Sequence, residues 1–454
     1  MFSACEPAVK DFERRTMNEK GDSALVPRSP SALEKTKPGT KRIVLGMVTD
    51  TLALANRDSL APAAPKFRIG DHALCEPDYL QLIAWAEDLN LSPLEVVRRL
   101  REGLRRKGNE TKIENGKLIE LNWDVGLLPI SNFRISFPLE LTELSFARYD
   151  VDGNFEDLEE GVGELPEGYC LSARIHQISA VALPKLQRLN CASVGLESMA
   201  MAPALALERL DCSWNRVSTL DLLSFPNLKL LDCADNRVLE SLDLKPVPEL
   251  LELDCHMNRI KELDLSPASK LRKLNCSDNF MDELVLPYLP ELVELVCSNG
   301  QYNGKPGYLT RIDLRNTPNL KVLDCGRNDI KTLNLSAVPR LRELDCGYNR
   351  LAELDLSPVP MLLKLDCCRT CLRELDLSGV PMLVELDCCW TDLRELDLSR
   401  VPMLKRLSCY TESYDSAWVE SLDIRPLHHL AELSYDQRTR LIQRTDQHFS
   451  SDEE

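Results

Sequence analysis

The chain has 454 residues, a net charge of −17 and an apolar content of 44%. That length suits two or three ordinary domains unless an internal repeat sets the architecture. No run approaches the ~20 apolar residues of a membrane span, and an acidic body disfavours nucleic acid or anionic membrane as partner.

Lys10, Arg14 and Arg15 precede no apolar run, so the start does not read as a secretory signal. A cytoplasmic protein is expected; export by a specialised machine without a cleaved signal stays open. Residues 1–118 carry +3 and the remainder −20. Residues 1–70 are rich in Ser, Pro, Lys and Ala and are expected to be mostly disordered.

Residues 71–108 read as a two-helix segment. Ser92-Pro93-Leu94-Glu95 is a capping box with proline at the first helical position. Leu94, Val97, Leu100 and Leu104 follow at helical spacing, among Arg98, Arg99, Arg101, Arg105, Arg106 and Lys107. Ala86, Leu91, Ser92 and Val96 echo helix-turn-helix spacing, which makes a DNA-binding regulator the alternative function. Asn90 stands where glycine is usual, and no third helix is evident. A cap or an interaction module is the plainer reading.

A period governs the longer, C-terminal part of the chain. Cys191, Cys212, Cys233, Cys255, Cys276 and Cys297 lie 21, 21, 22, 21 and 21 residues apart. After a step of 28 come Cys325, Cys346, Cys367, Cys388 and Cys409 at intervals of 21. Each closes a phrase such as Leu341-Arg-Glu-Leu344-Asp-Cys346, with Asn three residues later at Asn215, Asn236, Asn258, Asn279, Asn328 and Asn349. A second phrase comes after it, such as Leu351-Ala-Glu-Leu354-Asp-Leu356, and a proline stands 14 residues after the cysteine at Pro226, Pro290 and Pro339.

This pattern resembles the leucine-rich repeats, in particular the bacterial internalin J-like type with cysteine in the third leucine slot. The resemblance implies an α/β-type repeat solenoid: a horseshoe with a parallel concave β-sheet, preceded by the small helical segment. Regular repeats are assigned to 186–435, with a cap and degenerate repeats at 109–185 and a polar acidic tail at 436–454. Cys170 is counted back as one more turn, with Ile175 and Ile178 in leucine positions. Leu118–Trp123 and Leu141–Phe146 are two earlier turns, and Tyr435 closes the series.

The ladder cysteines read as small apolar plugs facing inward, and the asparagines as side chains that satisfy the turn backbone. Thr370, Thr391 and Val194 replace the asparagine, so looser turns are expected there. No metal or cofactor is expected. Cys368, Cys371 and Cys389 lie outside the ladder; Cys368 and Cys389 share a position expected to be exposed. They read as spare thiols, with a redox pair or half of a thiolate metal site as the sharper alternative.

The resemblance places binding on the concave strands and the rim loops. The middle exposed column includes Asp211, Asp232, Asp254, Asp324, Asp345, Asp366 and Asp387. It reads either as the repeat's default residue or as an acidic track for a basic protein partner. Arg209, Lys273, Lys364 and Arg406 are expected to offset its repulsion. A neighbouring column holds Trp214, Asp235, Met257, Arg327, Tyr348, Arg369 and Trp390. These residue types are enriched in interface hot spots, against the alternative of free drift. Insertions at Ser298–Tyr308, with Tyr302 and Tyr308, and at Tyr410–Ser421, with Tyr410 and Trp418, are expected to project from one rim. The function expected is a monomeric, non-catalytic protein-binding scaffold, in contact with a host among other settings. A catalytic effector is disfavoured because only 19 residues follow Tyr435.

Overall fold

The computed structural model describes residues 67–69, 72–102, 111–115, 117–125, 127–147, 174–300, 308–411, 418–445 and 447. Tyr302 and Cys170 lie outside them.

Each repeat phrase forms a strand of about three residues whose central leucine points inward, as in Glu343–Asp345 with Leu344 buried. Alternation along a strand turns the flanking residues outward. One strand cannot bury its leucine alone, so the turns stack. The result is a 15-stranded sheet running from Lys112–Glu114 to Glu432–Tyr435. Its strands pair in parallel without slippage, so that Asp324, Asp345, Asp366 and Asp387 fall in one row. Only the first pair, Lys112–Glu114 with Lys117–Asp124, is antiparallel.

The ladder cysteines from Cys191 to Cys409 are buried and unpaired. Several thiols reach the carbonyl of the next turn, as Cys346 Sγ does to Asp366 O at 3.4 Å. Burial pushes all these thiols well up, which keeps them protonated and unreactive.

Asparagine closes most turns. Asn349 Nδ2 donates to the carbonyls of Cys325, Cys346 and Gly347 at 2.9, 3.0 and 3.2 Å. Its Oδ1 accepts the Ile330 N–H at 3.0 Å. The turns expected to be loose keep the same backbone ladder: Arg369 N–H reaches Cys389 O at 2.8 Å. Thr370 and Thr391 each retain a bond to the carbonyl of their own turn's cysteine, at 2.7 and 2.8 Å. The Val194 N–H is taken by Asn215 Oδ1 at 3.2 Å. Neighbouring turns hold the geometry where the local side chain does not.

The backs of the coils are turns and short strands, some of which pair, as Glu283–Val285 does with Arg311–Asp313. At the front, Ile175 and Ile178 are buried in the leucine positions expected of them, and Ile178 of the strand Gln177–Ala180 lies opposite Met199, one 21-residue step on. In the main sheet the strand Glu143–Ala147 pairs directly with Arg188–Asn190.

Helices α1 (Glu76–Leu89) and α2 (Pro93–Glu102) precede the coils. Asn90 makes the tight turn between them without glycine, at φ 53°. Ser92 Oγ accepts the Glu95 N–H at 3.1 Å, as a capping box requires. Trp85 of α1 is fully buried, and its Nε1 donates to Arg134 O at 2.9 Å. Its ring packs against Trp123 and Phe133 at 4.9 and 5.4 Å. Gln81 binds Arg134 O, Ser136 N–H and Phe137 N–H. This pair of helices closes the first coil, whose core would otherwise face water.

Candidate functional site

Two rows of side chains run side by side along the strands and the turns after them. The first is the aspartate row. Each carboxylate accepts the N–H two residues on, as Asp345 Oδ1 does from Gly347 at 3.0 Å and Asp366 Oδ1 from Cys368 at 2.9 Å. The side chains are half-buried, and like charges sit on adjacent strands. Burial first, and then the neighbouring aspartates, raise Asp345 to about 7 and Asp232 to about 6. Asp366 is raised too, chiefly by burial.

The basic residues expected to offset this row do so weakly. Lys273 pairs with Glu294, Lys364 with Glu343 and Arg406 with Glu385. The reason is register: Lys364 lies directly opposite Glu343, whereas the aspartates stand two residues further along the strand. The aspartate row is relieved instead by turn N–H groups, and Asp345 by holding its proton up to about 7. Over Val322–Ser434 it lines an open groove of about 410 Å³.

Cys368 and Cys389 are not the exposed pair expected: Cys368 is half-buried and Cys389 buried. Cys368 Sγ lies instead with the carboxylates of Asp366 and Asp387, the donor atoms all within 4.8 Å of one another. The Cys368 thiol donates a hydrogen bond to Asp366, and burial with the nearby carboxylates pushes it far up. It serves the stripe as a hydrogen-bond donor. Cys371 is exposed on the far side of its turn.

The second row stands at the residue before each closing asparagine or threonine. Trp214, Asp235, Met257, Asp278, Arg327, Tyr348, Arg369 and Trp390 all have positive φ, between 48° and 57°. The left-handed conformation arises because the chain must turn sharply while its N–H still reaches the next turn; Tyr348 N–H bonds Cys368 O at 2.7 Å. Asp and Asn tolerate it, whereas bulky side chains cost about 1–2 kcal/mol each. Large residues nevertheless recur there. Trp214, Arg327, Tyr348 and Arg369 are exposed, and Met257 and Trp390 half-buried. Asp235 departs from the expected exposure: it is buried, with Arg237 Nε at 2.5 Å. The extra residue of the 22-residue step lies in that turn.

Three contacts organise this row. The Arg327 guanidinium lies 4.1 Å from the Tyr348 ring centre, Arg369 lies 5.2 Å from the same ring, and Arg369 lies 4.4 Å from Trp390. At the last turns, Arg438 covers Trp418 at 4.1 Å. Arg438 is a residue that sequence reasoning missed, because its ring lies inside the Tyr410–Ser421 insertion, outside the repeat's columns. Tyr308 is exposed and Tyr410 half-buried. Further back, His256 Nδ1 lies 2.6 Å from Asp254 Oδ1, and that bond raises the imidazole above its usual range. It too was not legible as a partner of the stripe. Asp211 Oδ1 is held by Ser213 Oγ at 2.7 Å.

Among solved structures, the chain is similar to the functional domain of InlJ from Listeria monocytogenes, described as including a cysteine ladder. The identity is 27%, over 53% of this chain and 65% of that one, with a TM-score of 0.41. This chain therefore spans less than two thirds of that domain. A leucine-rich-repeat protein of Leptospira interrogans matches at 15% identity over 72% and 91% of the two chains, with a TM-score of 0.44. YopM from Yersinia enterocolitica matches at 20% over 81% and 99%, with a TM-score of 0.35. No family profile and no curated protein matches the chain. The fold class rests on features internal to the chain: in-register parallel strands, inward leucines, a buried thiol at a usual spacing of 21 residues and an asparagine in most turns. On that geometry the chain is a leucine-rich-repeat solenoid with a cysteine ladder.

Proposed function

We propose that the chain is a non-catalytic protein-binding scaffold, with the partner lying along the two rows on the concave face and its rim. One observation carries this reading. Exposed Trp214, Tyr348, Arg327 and Arg369 occupy backbone positions that penalise large side chains and favour Asn, Asp or Gly. A surface left to drift would settle on the cheaper residues. Strain retained for the sake of a side chain points to use of that side chain.

The aspartate row assigns the partner basic groups, since an unneutralised acidic groove steers and orients cations. Partial protonation of Asp345 makes such binding tighten as pH rises through about 7. Contact with a host protein is one form of this proposal and is tested by the choice of prey.

The DNA-binding alternative finds no support in the helices. Arg98 and Arg99 are both held by Glu95, and Arg99 also reaches Leu127 O at 2.7 Å. The apolar side of the pair is spent on the first coil.

The test is capture by the full chain from separate pools of native-cell and host-cell protein, repeated with Trp214→Ala, Tyr348→Ala and Trp390→Ala combined. Loss of the captured partner with an unchanged thermal midpoint is expected. Equal capture by wild type and variant would remove this face from the function.

A further inference from the structure

Four consecutive turns, Arg327, Tyr348, Arg369 and Trp390, make one stacked row, and the stacking decides what the row still offers. Tyr348 has a guanidinium near its ring on each neighbouring turn, and Trp390 has one. Ring faces, the electron-rich part of an aromatic, are thereby occupied. A ring edge carries the positive end of the quadrupole, and a guanidinium stacked on a ring keeps its in-plane N–H donors. Arg327 and Arg369 are exposed, and among the described residues neither guanidinium has an ion pair or hydrogen-bond partner. Asp345 is the acid whose charge Arg327 is close enough to influence. The row is thus a pre-ordered ledge of donors, and stacking has already removed much of the freedom that an arginine loses on binding.

We propose that this ledge is a subsite for an acidic peptide segment, with Arg327 and Arg369 each taking one carboxylate as a two-pronged donor. This rests on the reading of the face as a protein-binding surface, and it adds the chemistry of one strip of the partner. The spacing selects the form of the segment. The two arginines lie two turns apart, about 9.6 Å at the usual strand separation. A polyproline-type extended segment returns to the same side every third residue, about 9.3 Å on. Acidic residues three apart on such a segment meet the two guanidinium groups in step. The parallel row of Asp324, Asp345, Asp366 and Asp387 sets the selectivity. It repels a continuous polyanion such as single-stranded RNA, which carries a charge at every nucleotide, and it tolerates separate carboxylates with neutral or basic residues between them.

The experiment is selection of a display library of random short peptides on the full-length protein, with the enriched peptides then resynthesised. Enrichment of peptides with Asp or Glu three residues apart is expected. Their affinity should fall by at least about tenfold for Arg327→Gln with Arg369→Gln, and by a similar factor for the lysine pair, which lacks the planar fork. A second arm leaves the protein untouched: glutamine in place of the peptide's acids should produce the same loss. Enriched peptides that lack acidic pairs, or that bind the arginine variants undiminished, overturn the ledge while leaving the scaffold reading in place. Failure to enrich any peptide on wild type also overturns the ledge, and the scaffold reading is then decided by the capture experiment alone. A uridine oligonucleotide that competes at physiological salt overturns the assignment to peptide.

Discussion

Asn349 satisfies three carbonyls and one N–H with a single amide, and Thr370 stands in the same slot with one hydroxyl. Thr370→Asn should therefore stabilise the coil by about 1–3 kcal/mol, since it offers three more buried bonds of about 1 kcal/mol each, less what the turn loses in admitting the larger amide. Urea unfolding monitored by circular dichroism checks it, and a lower midpoint would mean that the threonine turn cannot admit the amide. The aspartate row gives the opposite kind of lever. The Asp345 carboxyl titrates near ~4 in an unfolded chain and at about 7 in the fold. Between those values the folded state holds the extra proton, so this residue's contribution to stability is present at low pH and lost as pH rises through about 7. Asparagine keeps the bond to the Gly347 N–H and removes the charge. Asp345→Asn should raise the thermal midpoint by about 2–4 °C well above neutrality and leave it unchanged near pH 4. A constant shift at every pH would show that charge is not the cause.

At the scale of elements, the regular strands were legible because their signal is a repeat of side-chain size, and each strand's environment is set by two identical neighbours. The closing asparagines and the Ser92 capping box were legible for the same local reason. The front of the molecule was not. The pairing of Glu143–Ala147 with Arg188–Asn190 crosses 45 residues, a step that no spacing rule contains. Trp85 becomes a capping residue through the carbonyl of Arg134, 49 residues away. Trp85→Ala should destabilise by about 3–5 kcal/mol, the usual loss for a buried aromatic. Because a solenoid couples nearest neighbours, the damage should be local. Hydrogen exchange should rise over Lys117–Asp124 and Glu143–Ala147 and stay low beyond Glu343–Asp345. Uniform protection throughout would mean that α1 is not a cap. Among the candidate binding residues, type and column were readable from the repeat. Their left-handed backbone and the stacking of Arg327, Tyr348, Arg369 and Trp390 were not, since both come from how one turn's N–H meets the next.

For the molecule as a whole, stability is a sum over coils and the contacts between them, with no single core to fail at once. Cys346, the eighth of the eleven ladder cysteines, is fully buried with its thiol against the backbone of the next turn, and coils lie on both sides of it. Arginine there places a long cation in a slot shaped for a small plug, with no acceptor prepared for it, at a penalty of several kcal/mol. The coils on either side retain their own leucines, turns and ladder bonds. Cys346→Arg should thus uncouple the solenoid, so that one cooperative unfolding transition becomes two, with the capped N-terminal part melting later. Differential scanning calorimetry resolves the two cases. A single transition, merely shifted, would show that the stack behaves as one indivisible unit, and then binding energy gained on the Arg327–Trp390 ledge would spread through every coil and not remain with its neighbours.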